Sequence, residues 1–540
     1  GGAAHVSYDA RLIGSACLTN RARTGGGIAC VSDGRILRAS VAYNTARDGA
    51  GVAFLESDSP DRLSVVDACD IHHNTARRDG GGVVMTAAAI VRNAYVHNNS
   101  ARRTGGGILM DNGGEVHNAD ILFNTSSRGV GGIALAREGN VVNSIIYWNS
   151  GVTSDDYSEE NGLEKRISYS CIPASSPKRN NITSPPVHLY TDMSPRESSA
   201  CIDAGDNRQW MSSATDRNGQ LRLIDGRVDI GSLEWATFEN DEPPVVAVAS
   251  PADGAVFSNR YRSVVVSGAA SDDHGIARLA CNGKRIAPGN GTAWSYRAAL
   301  RTGKNVLSVV ARDSSGQTAT AAVMCVRLSK PIPPTVTDAV EYVAHTGTHV
   351  WPYASWDTAA TNIAAALDAA VDGGEILIGS GVYAAAGLVV DSAVTLEGAY
   401  GAGATEIAGD GARRVVTLDH PGACLRGLTI SGGSDVYGGG IFSHDRGAVL
   451  SCRVVNNRAA NGGGGMYFAN GGIVSNTTVA HNTAGADGGG GVFYGDARVL
   501  DSTFRNNHAF RDGGGIDAGM YATVRECGVV DNVASNAGGG

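Results

Sequence analysis

An asparagine followed by a pair of small residues and then a glycine cluster, as in Asn74-Thr75-Ala76 before Gly80-Gly81-Gly82, recurs at both ends of this chain. The anchors are Asn20, Asn44, Asn74, Asn99, Asn124 and Asn149 in the first part and Asn457, Asn482, Asn507 and Asn532 in the last, most of them 25 residues apart. A fixed period of this length marks a solenoid, because one such unit has no core of its own and buries its apolar face only against copies of itself. The 74 glycines among 540 residues, without a collagen period and with only 6% aromatic residues, fit many repeated tight turns rather than a helical enzyme core.

Reading back from each anchor, the fifth position is always small: Ser15, Ala39, Cys69, Ala94, Ala119, Ser144, Cys452, Thr477, Ser502 and Cys527. The third is mostly β-branched, with Val41, Ile71, Val96, Ile121, Ile146, Val454, Val479 and Val529. This alternation is the period of a strand with one buried face. An apolar residue after each glycine cluster, such as Ile28, Val83, Ile108, Ile133, Val492 or Ile516, starts a second short strand. The pattern therefore predicts an all-β chain of right-handed parallel β-helix, in which successive coils stack at about 4.8 Å. The aligned asparagines are expected to form an internal ladder, each side-chain amide bonded to its equivalents above and below.

A net charge of -9 over this length argues against nucleic acid as a partner. No apolar run approaches the roughly 18 residues of a membrane span. The ten cysteines contain no CxxC pair, which leaves disulfides or small buried thiols. The chain opens Gly1-Gly2-Ala3 without a methionine or a signal peptide, so it reads as processed, cut from something larger, or a repeat unit.

Residues 1–165 read as the C-terminal half of a β-helix. Within 166–242, the segments Cys201-Ile202-Asp203-Ala204-Gly205-Asp206-Asn207, Asp216-Arg217-Asn218-Gly219 and Gly226-Arg227-Val228-Asp229-Ile230-Gly231 resemble the closing module of bacterial surface β-helix proteins of the choice-of-anchor Q kind. Its acidic residues allow calcium, although Asp-Arg-Asn-Gly is first a turn signal; otherwise no cofactor or metal is expected. Cys171 and Cys201, which flank its long loop, are a candidate disulfide. Pro243-Pro244 marks a linker, and 243–330 shows short alternating strands with turn signals at Ala252-Asp253-Gly254, Asn282-Gly283 and Ser314-Ser315-Gly316. This β-sandwich pattern resembles the bacterial immunoglobulin-like spacers of adhesins, with Cys281 and Cys325 as a second candidate bridge. Pro331, Pro333 and Pro334 form another stiff linker.

Residues 335–540 begin a β-helix again. Ser355-Trp356-Asp357 leads into an alanine-rich helix, Ala359 to Val371, expected to be capped by serine or aspartate. Strands are expected at Glu375 to Tyr383 and Ala393 to Gly398. The order resembles the start of pectate-lyase-like β-helices, which implies that the helix, within 355–371, covers the first coil and protects its open edge. The last part thus has a beginning and the first part an end. Placing residue 1 after residue 540 leaves 28 residues between Asn532 and Asn20, inside the 24 to 30 found elsewhere, and Asp496-Ala497-Arg498-Val499-Leu500 matches Asp9-Ala10-Arg11-Leu12-Ile13. These features predict one period of a tandem array, or a subunit that stacks head to tail with itself.

A β-helix enzyme acting on acidic polysaccharide is the rival. Its chemistry needs convergent carboxylates, or a calcium-binding acidic cluster with an arginine base. The coil strands carry no Asn-Thr-Asp, paired Asp-Asp, His-Gly or Arg-Ile-Lys signature, and outward positions vary freely, as at Ala42, His72, His97, Leu122, Tyr147 and Ala480. No catalytic residue is therefore assigned. His72 and His97 share a position in adjacent coils, with His73 and His117 nearby in sequence; an exposed polar stack is the plainer reading than a metal site. Arg23, Arg47, Arg77, Arg78, Arg102, Arg103 and Arg128 fall three or four residues after their anchors and form a stripe along one turn edge. The stripe is either a solvated turn with local ion pairs to Asp48 and Asp79, or a groove for an acidic glycan or for the acidic surface of a neighbouring filament. The coil grammar also resembles polymorphic outer-membrane and autotransporter adhesins, which implies a structural and adhesive, extracellular role at a bacterial surface, with a glycan-binding module as the third possibility.

Overall fold

The computed structural model describes residues 1–535 except 56–62, 137–138, 159–165, 174–178, 189–193, 225, 236–241, 258–262, 273–275, 287–292, 314–316 and 328–339. Two compact units result: 1–186 with 230–232 and 338–540, and 187–229 with 233–337.

The first unit is a parallel β-solenoid. Strands ending two residues before an anchor, such as Asp70–His72 and Tyr95–His97, build a 13-stranded sheet; those after the glycine clusters, such as Val83–Met85 and Ile108–Met110, build a 12-stranded sheet. The strands between them, such as Ala89–Arg92 and Glu115–His117, build a 15-stranded sheet. Two-residue strands directly after the anchors form ribbons of four and five strands. Like residues meet in register, as Val41, Ile71, Val96 and Ile121 do, and fill one continuous core.

Most coils turn two of their corners through left-handed residues that are not glycine. One is the residue before the anchor, as at Tyr43, His73, Asn98, Phe123 and Trp148; the other precedes the small column, as at Arg38, Ala68, Asn93, Asn118 and Asn143. This conformation costs an L-residue about 1 to 2 kcal/mol, and stacked main-chain bonds such as Asn98 N–H to the Leu122 carbonyl oppose that cost. Where the small fifth position back carries a hydroxyl or thiol, that group accepts from the backbone of the preceding coil. Ser144 Oγ takes the Ala119 N–H at 3.2 Å, and Cys69 Sγ takes the Ala39 N–H at 3.4 Å. Glycine is compulsory where coils touch: a Cβ on Gly82 would lie 2.7 Å from the Gly107 carbonyl oxygen and 3.0 Å from Asn99 Nδ2. Val492 lies one place off the expected column. Gly491 holds the inward position beside Met466, and the Phe493 ring occupies the space that a side chain on Gly491 would need.

The two solenoid halves pair within the one chain. Ala4–Val6 lies between Ile28–Cys30 and Ile516–Ala518, Arg11–Ile13 between Arg35–Leu37 and Thr523–Arg525, and Ala16–Leu18 between Ser40–Ala42 and Gly528–Val530. The mates expected in a following copy are thus found in the same molecule, because stacking depends on matched columns and not on covalent order. Cys17 continues the column of Val529 and Val41 across this seam.

The capping helix is shorter than its alanine content implies, Ile363–Ala369, and Asn362 caps it by accepting the Ala365 N–H at 2.9 Å. Ser355 is used instead in a local turn with Thr358, and Ala360 bridges to Val343, so neither Ser355 nor Asp357 reaches the helix. Ile363 and Ala366 are buried in the solenoid core. The expected strand from Glu375 to Tyr383 is two strands, Glu375–Ile378 and Gly381–Ala384, in different sheets. At the other end, Ile167–Ser168 pairs with the Asn140–Val142 strand, and Ser232 binds Asp120 on the 13-stranded sheet through its N–H at 3.1 Å and its hydroxyl.

In the second unit, residues 245–327 form a β-sandwich. Val245–Ser250, Ser263–Ser271 and Ala293–Ala299 make one sheet, and Ala255–Phe257, Thr318–Arg327, Gly303–Asp313, Ile276–Cys281 and Lys284–Ile286 the other. Val266, Trp294, Leu279 and Leu307 lie in its core. Asn282 and Gly283, at φ 48° and 81°, form the expected tight turn. Ser314-Ser315-Gly316 and Pro331, Pro333 and Pro334 lie outside the described residues.

Neither expected disulfide is present, and all ten cysteines are free and buried. Cys281 and Cys325 lie in the same sheet with the Gly303–Asp313 strand between them. Two strand spacings of about 4.8 Å exceed the roughly 7 Å that a bridge tolerates between Cα atoms. Cys171 instead donates its thiol to the Ser184 carbonyl at 3.2 Å. Burial pushes the thiols of Cys30, Cys69, Cys452 and Cys527 up to about 12, so these are small core residues and not reactive groups.

Candidate functional site

The ten anchors form a single buried ladder that crosses the seam. Each Nδ2 donates to the next Oδ1, at 3.0 Å from Asn20 to Asn44, 2.9 Å from Asn74 to Asn99 and 3.3 Å from Asn532 to Asn20. Each main-chain N–H donates to that same next Oδ1, and the second Nδ2 proton goes to a carbonyl one coil back, as from Asn99 to Ile71 at 2.8 Å. The ladder ends on Asp156, whose Oδ1 accepts from the N–H and Nδ2 of Asn149. Asp156 escapes the sequence pattern because it stands outside the 25-residue period. With donors and acceptors spent on one another, the anchors hold the fold and offer nothing to a ligand.

The arginine stripe lies beside the four-stranded ribbon. Main-chain bonds stack its levels, from Arg47 N–H to the Arg23 carbonyl and from Arg78 N–H to that of Arg47. Asp48 accepts from Arg78 at 3.0 Å and lies 3.5 Å from Arg47, and Asp79 lies within 3.6 Å of both Arg78 and Arg103. Part of the stripe is therefore locally ion-paired. Arg77, Arg102 and Arg128 are exposed. Arg21, absent from the sequence-derived stripe, bridges Thr45 on one side and Val533 on the other and occupies the place that Thr45, Thr75 and Ser100 hold in later coils. Its departure from that column is the signal that finds it. Arg21, Arg23, Arg47 and Arg77 line a cavity of about 470 Å³ with Ala22, Thr45, Ala46 and Val533 to Ser535.

His72 and His97 do share a level position, and their rings stack at 5.0 Å. His97 is committed: Nε2 bonds Asp70 at 3.0 Å, Nδ1 meets Asn98 at 2.9 Å, and Tyr95 stacks on its ring. His72 Nδ1 sits 2.8 Å from His73 Nδ1, a hydrogen-bond separation, and burial pushes the His72 imidazole below its usual range. His117 belongs to a different sheet and bonds Glu115 at 2.7 Å. Among the described residues, no three His, Cys, Asp or Glu side chains converge as a metal site would require.

In the second unit the acidic residues of the closing module serve its turns. Asp216 Oδ1 accepts the N–H groups of Asn218, Gly219 and Gln220 at 2.8 to 2.9 Å, and Asp229 accepts those of Asp203 and Trp235. Arg222 is fully buried against Glu234 at 3.2 Å. Burial raises the Asp229 carboxyl to about 6 and lifts that of Glu234 as well.

The sandwich has a known counterpart. Residues 244–309 match the bacterial Ig domain family. That match covers the Ig domain up to the Gly303–Asp313 strand and leaves its last strand, Thr318–Arg327, outside. No curated protein matches the chain. Neither a catalytic family nor a family for the solenoid enters with this match; the Ig domain is a non-catalytic module.

Proposed function

We propose that this chain is a structural and adhesive repeat of the bacterial cell surface, acting outside the cell, in which stiff solenoid segments alternate with Ig domains. One observation carries the reading: the seam between the first and last coils has the same register, core column and asparagine ladder as the covalently continuous steps on either side of it. The two halves are complementary ends of one solenoid. Such ends satisfy one another within a chain, as here, or between successive copies, and the second mode builds a fibre from identical steps. A bacterial Ig domain and an extended solenoid are both suited to spacing and display. The absence of carboxylate signatures on the coil strands favours this over a polysaccharide lyase or hydrolase.

Electron microscopy of the native material tests the array. Rods interrupted at a regular spacing by small nodules are expected, and isolated particles of single-chain mass would overturn it. Incubation with acidic polysaccharides tests the non-catalytic part, which release of unsaturated or reducing sugar ends would refute.

A further inference from the structure

We propose that the trough lined by Arg21, Arg23, Arg47 and Arg77 is a binding site for an acidic polysaccharide, with the carboxylates or sulfates of successive sugars seated on successive arginine levels. The floor is made of small residues: Ala22 and Ala46 are nearly buried, so the larger side chains beside them form walls around about 470 Å³, a volume typical of small-ligand sites. Arginines at neighbouring strand positions stand about 4.8 Å apart, and like charges so placed repel. Asp48 and Asp79 pair with Arg47, Arg78 and Arg103. Among the described residues, Arg21 and Arg77 have no ion-pair partner, and both are exposed. A guanidinium in this state takes a carboxylate or sulfate through two parallel N–H bonds, and Thr45 and Ser535 add hydroxyls along the wall.

Two features point to a chain and not to a compact anion. The positive row continues past the cavity through Arg102, Arg103 and Arg128, one level per coil. The levels also repeat at a spacing close to that of residues in an extended glycan. Nucleic acid fits less well, because no aromatic side chain lines the trough to stack a base and the chain is negative overall. The walls come from both sides of the seam, Arg21 to Arg23 and Val533 to Ser535, so a bound polymer spans the one step where adjacent coils lack a covalent link. The proposal holds whether or not copies join end to end.

The test is titration calorimetry of the full chain with polygalacturonate and with dextran sulfate, against neutral dextran and double-stranded DNA. Saturable binding of at least one acidic polymer is expected at low salt and its loss at about 0.5 M salt, where the screening length is a few ångströms. The double variant Arg21→Ser/Arg77→Ser is expected to lower affinity about tenfold or more. Arg413→Ser, at an exposed arginine paired with Asp410, leaves it unchanged. Polymer should also slow hydrogen exchange at the Arg21 and Ala534 amides, which bond across the seam to Asn532 and Arg21. If the double variant does not fold, Arg21→Lys and Arg77→Lys take its place, since they keep the charge and lose the fork. No binding of either acidic polymer at low salt, equal affinity in folded variants, or tighter binding of DNA would overturn the site.

Discussion

At the residue scale, the molecule depends on side chains that stand in for backbone partners. Asn99 accepts from the N–H and Nδ2 of Asn74 and donates to Ile71 and Asn124. Asn99→Ala leaves several buried groups without partners, and each such group costs about 1 to 3 kcal/mol; a fall of about 3 kcal/mol or more in unfolding free energy is expected from urea titration. The carboxyl of Glu397 is raised to about 7 by burial first and then by Glu375, against the opposing pull of Arg426. A folded-state value above the unfolded one means that the folded chain holds the extra proton. Stability from this group is therefore full below about pH 4.5 and declines as pH rises toward 7. Glu397→Gln is expected to raise the melting temperature at pH 8 and to change it little at pH 4.5. Alkylation checks the thiols: the native chain should take up no label, and the denatured, unreduced chain should take up ten. Any shortfall would indicate a disulfide.

At the element scale, short strands persist because each is paired on both sides, and the exceptional places are the ends. Among the described residues, Val340–Val343 has a strand neighbour on one side only, Glu375–Ile378, and the helix Ile363–Ala369 buries Ile363 and Ala366 in the core beside it. Seven residues are too few for a helix to stand alone in water, so this one depends on its cap and on packing. Asn362→Ala is expected to cost about 1 kcal/mol, seen as faster hydrogen exchange in 340–343 with the coils around Asn99 unaffected. Alanine content implied a longer helix, because propensity does not register that Ala360 is claimed by a bridge to Val343.

At the scale of the whole molecule, the seam is expected to be the first step of the solenoid to open. Its amides bond as the others do, Arg11 to the Ala522 carbonyl at 2.8 Å and Ala16 to that of Cys527 at 2.8 Å, yet no turn ties the two coils. Opening it releases chain entropy that a covalent coil cannot release. Hydrogen exchange is therefore expected to be faster at Arg11 and Ala16 than at the equivalent internal amide of Tyr95, which bonds to Cys69; equal protection would mean that the seam opens only with global unfolding.

The sequence by itself determined the coil. Period, small column, β-branched column and asparagine anchors are local and repeated, and stacking identical windings leaves little freedom in where they go. The same reading placed Asn282-Gly283 at a turn, and its arginine stripe stood on one edge. Only the tertiary structure decided what distant segments do to one another: that Asn532 finds Asn20 in its own chain, that Asp156 closes the ladder, that Cys281 and Cys325 lie a strand too far apart to bridge, and that Arg21 completes a trough. The physical reason is common to all four. A repeat specifies which surfaces are complementary, while the identity of the partner depends on which complementary surface the folded chain brings within reach.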